Sequence, residues 1–376
     1  MPEYDALARA AHDDVADTVD SMLLRWVDWL TGGPTGLPDP IWEANRRAAL
    51  AQLRAQLVVD VRAPRAAVAG GVRDGLNATA GITAGATDAS PAVATIASET
   101  VQRLDGMWPT VIHGLDQNGA RALSDVLRGV RDGDLTRVQA THEAVDRMAR
   151  TGVTGFVDKA GRRWEASSYA EMSVRTGVTD AHTAGTVAGA QRRGTDLVMV
   201  SDAPRECERC RPWEGKLLSI GGLALGTTPV DADGTPAVVA GTLDEAKAAG
   251  FMHSNCRHRT YAFVPGQTLL RKGVPDRAAY EASQRQRGLE RRLRAAQTRA
   301  QALSRADPRS PLAVAARARA TDLRRQIKQL VDDNPTLQRR TDRERAMTAD
   351  PNRARRRTDR TSTLAAELSV RAAPGG

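Results

Sequence analysis

The sequence predicts a mainly α-helical protein with a small α+β module in the middle of the chain. Only 3% of the 376 residues are aromatic, so a core must be built mostly from Ala, Leu and Val, and this favours helices over β-sandwiches. Length and changes of sequence character predict three regions. These are a helical region over residues 1–150, an α+β module over 151–270, and a basic helical hairpin with a disordered tail over 271–376.

The N-terminal region opens with a predicted amphipathic helix over residues 5–31, where apolar side chains recur every three or four residues. These side chains are Val15, Val19, Met22, Leu23, Trp26 and Leu30. We assign both Trp26 and Trp29 to the core. Further helices are expected over residues 41–62, 96–117 and 119–150. Residues 64–95 are rich in Ala, Gly and Thr with little periodicity, so the pattern leaves helix and loop open there.

The central module alternates short strands with helices. A hairpin is predicted over residues 156–164, and Ser168 with Glu171 forms a capping-box pattern for a helix that ends near residue 193. Thr242 and Glu245 form a second capping box, before a short helix. Strands are expected over residues 197–200, 216–220 and 256–263.

The sequence of the C-terminal region predicts an antiparallel helical hairpin or a coiled-coil arm. Two heptad-like series, 289–303 and 316–330, are separated by Pro308 and Pro311. Beyond Pro335 the chain is expected to be disordered, or helical only when it is bound to a partner.

The positive charge of the protein is concentrated in this last region. The net charge is +9, yet residues 271–376 hold 26 basic and 12 acidic side chains, whereas the preceding residues are mildly acidic. A basic tail indicates a polyanionic partner such as nucleic acid, although solvation of a helical surface would give the same composition. No aromatic residue follows Tyr280, so contact with the phosphates of double-stranded DNA is favoured over base stacking. The candidate contact residues are Arg291, Arg292, Arg294, Arg353, Arg355, Arg356 and Arg357.

Several protein classes are disfavoured. The longest stretch without charged side chains, residues 217–230, is too short and too rich in glycine to cross a bilayer, so no membrane partner is expected. The first residues lack the pattern of a signal peptide. Three cysteines do not make a disulfide scaffold, and they indicate a reducing, intracellular environment during folding.

All three cysteines belong to one candidate metal site. Cys207 and Cys210 form a Cys-x-x-Cys pair, and Cys256 follows within a segment that also contains His253 and His258. Two closely spaced thiolates with a distant Cys/His pair are typical of tetrahedral zinc, so the pattern predicts a structural zinc in a zinc-knuckle-like module. An extended segment would place Cys256 and His258 on one face, which favours His258 over His253.

Two alternatives to structural zinc remain open. The cysteines can instead be small buried apolar residues whose neighbouring histidines bond to the backbone. A catalytic metal or a cysteine nucleophile is the other alternative, but the sequence places no carboxylate or base visibly around the cluster. We predict no catalytic residues and expect that the protein is not an enzyme.

The motif series resembles the tailed-phage minor capsid protein 2 family and, more distantly, the Mu F-like head morphogenesis proteins. The resemblance rests on Cys207-x-x-Cys210-x-x-Trp213-x-Gly215-Lys216, on His253-x-Asn255-Cys256-Arg257-His258, on the upstream segment 156–176 and on the basic segment 284–294. It covers residues 150–335, whereas the N-terminal region agrees only in being helical.

This resemblance implies a structural component of the bacteriophage head, present in few copies and bound to the portal protein. It also implies capsid or scaffold partners and contact with packaged DNA. The protein is then expected in the interior of the virion head, and in the host cytoplasm during assembly. Two other functions remain as alternatives, namely a metal-dependent nuclease or toxin-like enzyme and a zinc-containing DNA-binding regulator.

Overall fold

Within the residues that it describes, the computed structural model contains nine α-helices and six short strands. It describes residues 2–32, 39–84, 91–151, 155–158, 161–203, 206–270, 274, 276–346 and 360–372. The helices are α1 (Pro2–Thr31), α2 (Asp39–Ala84), α3 (Pro91–Arg131), α4 (Arg137–Thr151), α5 (Ala166–Arg192), α6 (Leu243–Ala248), α7 (Arg277–Ala306), α8 (Pro311–Asp332) and α9 (Arg360–Ala372). The strands are β1 (Gly155–Val157), β2 (Arg163–Glu165), β3 (Leu197–Val200), β4 (Leu217–Ser219), β5 (Val239–Thr242) and β6 (Thr260–Ala262). The predicted fold class, mainly helical with a small α+β part, is confirmed.

The largest hydrophobic core is built by α1 to α5. The apolar series predicted for α1 is buried, and the two indoles of Trp26 and Trp29 pack edge to face with ring centroids 5.0 Å apart. The same cluster includes Leu303 of α7 and Ala316 of α8, so the hairpin shares the core of the helical body. The region boundaries at residues 150 and 270 stay predictions.

Helix α2 is longer than the pattern predicts, because it continues through Pro64 to Ala84. Small residues in its second half allow other helices to approach closely, and this explains the weak apolar periodicity. A Cβ atom on Gly71 would lie 2.6 Å from the backbone of Thr361 in α9, and one on Gly75 would lie 2.6 Å from the side chain of Leu7 in α1.

The break predicted near residue 118 is wrong, since α3 runs without interruption to Arg131. Gly119 serves packing and does not end the helix: a Cβ atom there would lie 2.1 Å from the Trp26 ring. The chain instead turns at Gly133, whose φ of 78° belongs to the left-handed region that glycine adopts at low cost.

The central module contains the predicted β1–β2 hairpin and a four-stranded sheet in the order β5-β4-β3-β6. Strand β3 is antiparallel to β4 and β6, whereas β4 and β5 are parallel. Because side chains alternate along a strand, Val198, Val200 and Leu218 pack in a cluster with Cys210 and Cys256, and Leu197, Leu217 and Phe263 form a separate cluster. One face of the sheet therefore supports the cysteines.

Helices α7 and α8 form the predicted hairpin, and both predicted apolar series meet along its seam. Leu293, Ala320, Leu323 and Ile327 are buried together there. Ser310 precedes Pro311 and caps α8, since its hydroxyl accepts a hydrogen bond from the Ala313 backbone N–H at 3.2 Å.

Residues 360–372 belong to the stretch predicted to be disordered, or helical only when it is bound to a partner. They form α9, which packs against α2 and α1. The buried Asp14 carboxylate receives hydrogen bonds from the Thr361 hydroxyl at 2.6 Å and the Thr361 backbone N–H at 3.1 Å. Arg360 pairs with the same carboxylate at 3.0 Å. The paired burial of these polar groups, together with the burial of Ala365 and Leu368, accounts for the packing of α9. Within the described residues, no helix has the length and apolarity that a membrane crossing requires.

Candidate metal centre

The first two predicted ligands lie in a tight turn that follows β3. The backbone N–H groups of Cys210 and Arg211 both donate to the Cys207 carbonyl at 3.1 Å. An ion pair between Glu206 and Arg211, 2.9 Å long, joins the residues on either side of the Cys-x-x-Cys pair. This local bonding directs both thiols toward the same side of the turn.

The other three predicted ligands lie in the loop before β6. The strand predicted from residue 256 begins only at Thr260, because a turn occupies the preceding residues. In this turn the Cys256 N–H donates to the His253 carbonyl at 2.8 Å, and Asn255 has a positive φ of 66°. Asparagine is among the residues that tolerate this conformation.

The structure brings all five predicted residues into two overlapping groups. Cys207, Cys210 and His253 form one group, and Cys210, Cys256 and His258 form the other, with the ligand atoms of each group within 4.8 Å of one another. The Cys210 and Cys256 sulfur atoms are 3.6 Å apart, and Cys256 Sγ is 3.5 Å from His258 Nδ1. Cys207 Sγ lies 3.0 Å from His253 Nε2.

These distances can be compared with the edges of a tetrahedral zinc site. Zinc bonds of about 2.3 Å to sulfur and about 2.0 Å to nitrogen separate two thiolates by about 3.8 Å, and a thiolate and an imidazole nitrogen by about 3.5 Å. The Cys210–Cys256 and Cys256–His258 distances match these values. The Cys207–His253 distance is shorter and matches a hydrogen bond better. Each group of three therefore offers donors that could hold a metal ion, and Cys210, Cys256 and His258 have the distances closest to a tetrahedral site.

Both histidines are oriented by a second hydrogen bond. His258 Nε2 donates to the Glu214 carboxylate at 2.9 Å, which leaves Nδ1 facing Cys256. His253 Nδ1 lies 2.8 Å from the carbonyl oxygen of Ser254, so its Nε2 faces Cys207. Metal-binding histidines are commonly held in this way by a carboxylate or a carbonyl.

Electrostatics favours the charged form of two thiols. The hydrogen bond with Cys210 lowers the pKa of the Cys256 thiol, burial opposes this, and His258 lowers the pKa further, to about 4. Burial raises the pKa of Cys207, but the hydrogen bonds with His253 and with the Cys210 backbone outweigh it. Thiolates are the form of cysteine that binds metals.

The sequence interpretation missed two residues that support the cluster. Glu214 lies four residues after Cys210, and its position beside a Cys/His pattern was a usable signal. Arg175 of α5 gave no such signal. Its guanidinium donates to Asn255 at 2.8 Å, to Asp5 at 3.1 Å and to Glu171 at 2.5 Å. Arg175 thus joins the turn before Cys256 to α1 and α5.

The predicted capping box at Ser168 and Glu171 is wrong, because each of these side chains bonds to another partner. Helix α5 begins earlier, at Ala166, with Glu165 in the N-cap position. The Ser168 hydroxyl donates to the Glu165 carboxylate at 3.0 Å, and Glu171 pairs with Arg175.

The arginines predicted to contact nucleic acid differ in their environments. Arg291 and Arg292 are exposed on α7. Arg294 is only 8% exposed and donates to the backbone carbonyl of Arg343 at 2.9 Å. The remaining four, Arg353, Arg355, Arg356 and Arg357, lie outside the described residues.

The fold and the cluster define a mainly helical protein with a small sheet and a Cys/His group that can hold a metal. The family model described as phage minor capsid protein 2 matches residues 41–332, and the chain belongs to this family. A curated relative, a structural protein of Lactococcus phage LL-H, is 24% identical over 279 residues, which cover 66% of this chain and 72% of the relative. No solved structure matches the chain. The protein is therefore a structural component of the bacteriophage virion, with a role in head morphogenesis.

Proposed function

We propose that this minor capsid protein holds one structural zinc ion through Cys207, Cys210, Cys256 and His258. The observation that carries the proposal is the contact of Cys256 with both Cys210 and His258 at distances that match a tetrahedral site. The Glu214 carboxylate supports the choice of His258, because it fixes the ring with Nδ1 toward the thiols. His253 is the alternative fourth ligand.

The zinc ion would stabilise a module that has little apolar core of its own. The cluster around Cys210 and Cys256 is small, and its largest buried apolar side chains include Phe251 and Leu218. Metal binding contributes directly to folding where such a core is insufficient. Zinc would thereby hold the two loops in place against β3 and β4.

We propose that the protein is not an enzyme. Four protein ligands leave zinc without an open coordination position, which is the arrangement of structural sites. The zinc-loaded protein is therefore expected to leave supercoiled plasmid DNA intact over hours at neutral pH. Nicking that disappears in His253→Ala while the fold is retained would instead assign a metal-dependent nuclease.

We further propose that the α7–α8 hairpin contacts the phosphates of packaged double-stranded DNA. Residues 277–332 carry 14 basic and 5 acidic side chains. In the described part of the chain, no carboxylate lies within ion-pair distance of the exposed Arg291 or Arg292. Arg353, Arg355, Arg356 and Arg357, which lie outside the described residues, are proposed as further contacts from their charge in the sequence.

Fluorescence anisotropy with a random-sequence duplex tests this contact. The Arg291→Gln/Arg292→Gln variant is expected to bind more weakly, with a salt dependence reduced by about one phosphate per arginine removed. The matched control, Arg128→Gln/Arg131→Gln, removes the same charge from exposed positions of α3 and is expected to bind normally. Equal weakening by both variants would contradict the assignment, and strong preference for one DNA sequence would favour the regulator alternative.

Portal binding is the third part of the proposal, and family membership supports it. A protein of this family that is assembled in the host cytoplasm and retained in the head needs a capsid partner. Co-expression with the portal protein of the same phage, followed by size-exclusion chromatography, is expected to give a complex with few copies per portal ring. Complete separation of the two proteins would contradict this partner.

A further inference from the structure

A cleft of about 520 Å³ lies beside the Cys/His cluster and has a second wall that the proposed zinc site does not use. This wall is formed by α7, by the N-terminal half of α5 and by the segment after α8. Eight arginines and four glutamates line the cleft. The arginines are Arg9, Arg163, Arg175, Arg257, Arg287, Arg291, Arg294 and Arg343.

Several of these guanidinium groups have unused hydrogen-bonding capacity. Arg294 is 8% exposed, and its Nε is buried without an acceptor among the residues that the structure describes. The Nε of Arg343 is in the same situation. A buried donor without a partner is costly, so these groups indicate a missing acceptor.

The carboxylates of the cleft do not balance its positive charge. Glu171 is engaged by Arg175 at 2.5 Å. Glu290, which is 3% exposed, faces Arg343, Arg294 and Arg287, and its burial raises its pKa. Burial, followed by the nearby Arg343 and Arg175, lowers the pKa of Arg287. The mutual repulsion of these cations would be relieved by an anion.

We propose that this cleft binds a phosphate group, with Arg287 and Arg343 as its contact residues. The guanidinium fork matches phosphate oxygens in pairs, and converging arginines are the usual means of binding phosphate. The cleft is larger than a phosphate ion, and the aromatic side chains of Trp164 and Tyr280 also line it. Aromatic faces stack on nucleobases, so the size and lining suit a phosphate carried by a nucleotide.

This inference is separate from the proposed contact between DNA and the hairpin surface. That contact rests on the exposed Arg291 and Arg292, whereas the contact residues proposed here are the partly buried Arg287 and Arg343, and only Arg291 belongs to both surfaces. The two sources of phosphate are a free anion and the end of an oligonucleotide, and the experiment distinguishes them.

Isothermal titration calorimetry on the full-length protein at constant ionic strength tests the site. The probes are inorganic phosphate and tetrathymidylate with and without a 5′-phosphate. Because a hydrogen bond between two charged groups is stronger than one between neutral groups, Arg287→Gln and Arg343→Gln are each expected to weaken binding about tenfold or more. Arg285→Gln is the matched control, since Arg285 lies on the same helix, is exposed and does not line the cleft.

Each outcome of the titration decides the proposal. Binding of inorganic phosphate that is lost in both cleft variants assigns a free anion. Preference for the 5′-phosphorylated oligonucleotide, lost in the same variants, assigns a nucleic-acid end. Absence of binding by every probe would overturn the proposal, as would equal affinity in the wild-type protein, the cleft variants and the control. Circular dichroism verifies the fold of each variant. If a variant does not fold, the titration of the wild-type protein still tests the proposal, because absence of binding by every probe overturns it.

Discussion

The His258 ring is held between two groups: its Nε2 donates to the Glu214 carboxylate at 2.9 Å, and its Nδ1 lies 3.5 Å from Cys256 Sγ. Glu214 also accepts a hydrogen bond from the Ala203 backbone N–H at 2.7 Å. One carboxylate therefore connects the loop before the Cys-x-x-Cys pair to the histidine that faces the third thiol. This connection makes Glu214 a positioning residue for the proposed zinc site.

We expect Glu214→Ala to weaken zinc affinity by about 10–100-fold, the usual effect of removing such a partner. Glu214→Gln keeps an acceptor for the histidine N–H and is expected to lose much less. Competition with a chromogenic chelator measures both affinities. Unchanged affinity in Glu214→Ala would contradict the role of His258 as a ligand.

Adjacent glycines in α2 give a paired test of the packing between α2 and α9. Gly71→Ala would place a Cβ atom 2.6 Å from the Thr361 backbone, and we expect it to lower the free energy of unfolding by about 1–3 kcal/mol. Gly70→Ala meets no described atom within 4 Å, and we expect it to stabilise the helix by about 0.5–1 kcal/mol.

Thermal unfolding followed by circular dichroism checks this pair. The two variants should shift the midpoint in opposite directions. A shift in the same direction and of the same size would show that α9 does not lie against Gly71.

Asp14 predicts a pH-dependent contribution to stability. Burial, although opposed by Thr361 and Arg360, raises the pKa of Asp14 from 3.8 to about 6. The folded state then binds the proton more tightly than the unfolded state. The stabilising contribution is present in full below the unfolded pKa and is lost as the pH rises through the folded pKa. The free energy of unfolding of the wild-type protein, relative to that of Asp14→Asn, is therefore expected to fall by about 2 kcal/mol between pH 4 and pH 6.

Urea denaturation of both proteins at pH 4, 5, 6 and 7 measures this difference. The asparagine side chain keeps an acceptor for Thr361 but has no titrating group, so it is a suitable reference. Parallel pH profiles would refute the contribution of Asp14.

Much of the fold follows from local sequence patterns. The apolar series of α1 and of the α7–α8 hairpin each have a clear period along one continuous stretch of sequence. Strand β3 and the Thr242 capping box follow from a few adjacent residues. The structure agrees with these predictions. The Cys/His cluster could also be predicted from the sequence, because five ligand-type residues occur in two short segments of a chain with three cysteines.

The remaining features depend on contacts between distant residues. Gly71 lies in the stretch that the pattern leaves open between helix and loop, and Gly119 adjoins the predicted break. They face Thr361 and Trp26, and no local pattern shows this. The same holds for α9, which is ordered by Asp14 more than 340 residues earlier in the chain. Arg175 reaches the metal loop through a pairing that spans 80 residues.

Zinc content is the most direct measure of the central claim, that three cysteines and one histidine hold a structural ion. Elemental analysis of full-length protein purified without chelator is expected to give one zinc per chain. Cys210→Ser and His258→Ala should lose it and unfold the central module locally, whereas Arg285→Gln should retain it. A wild-type protein without bound metal, or a Cys210→Ser variant with the same zinc content as the wild type, would contradict the account.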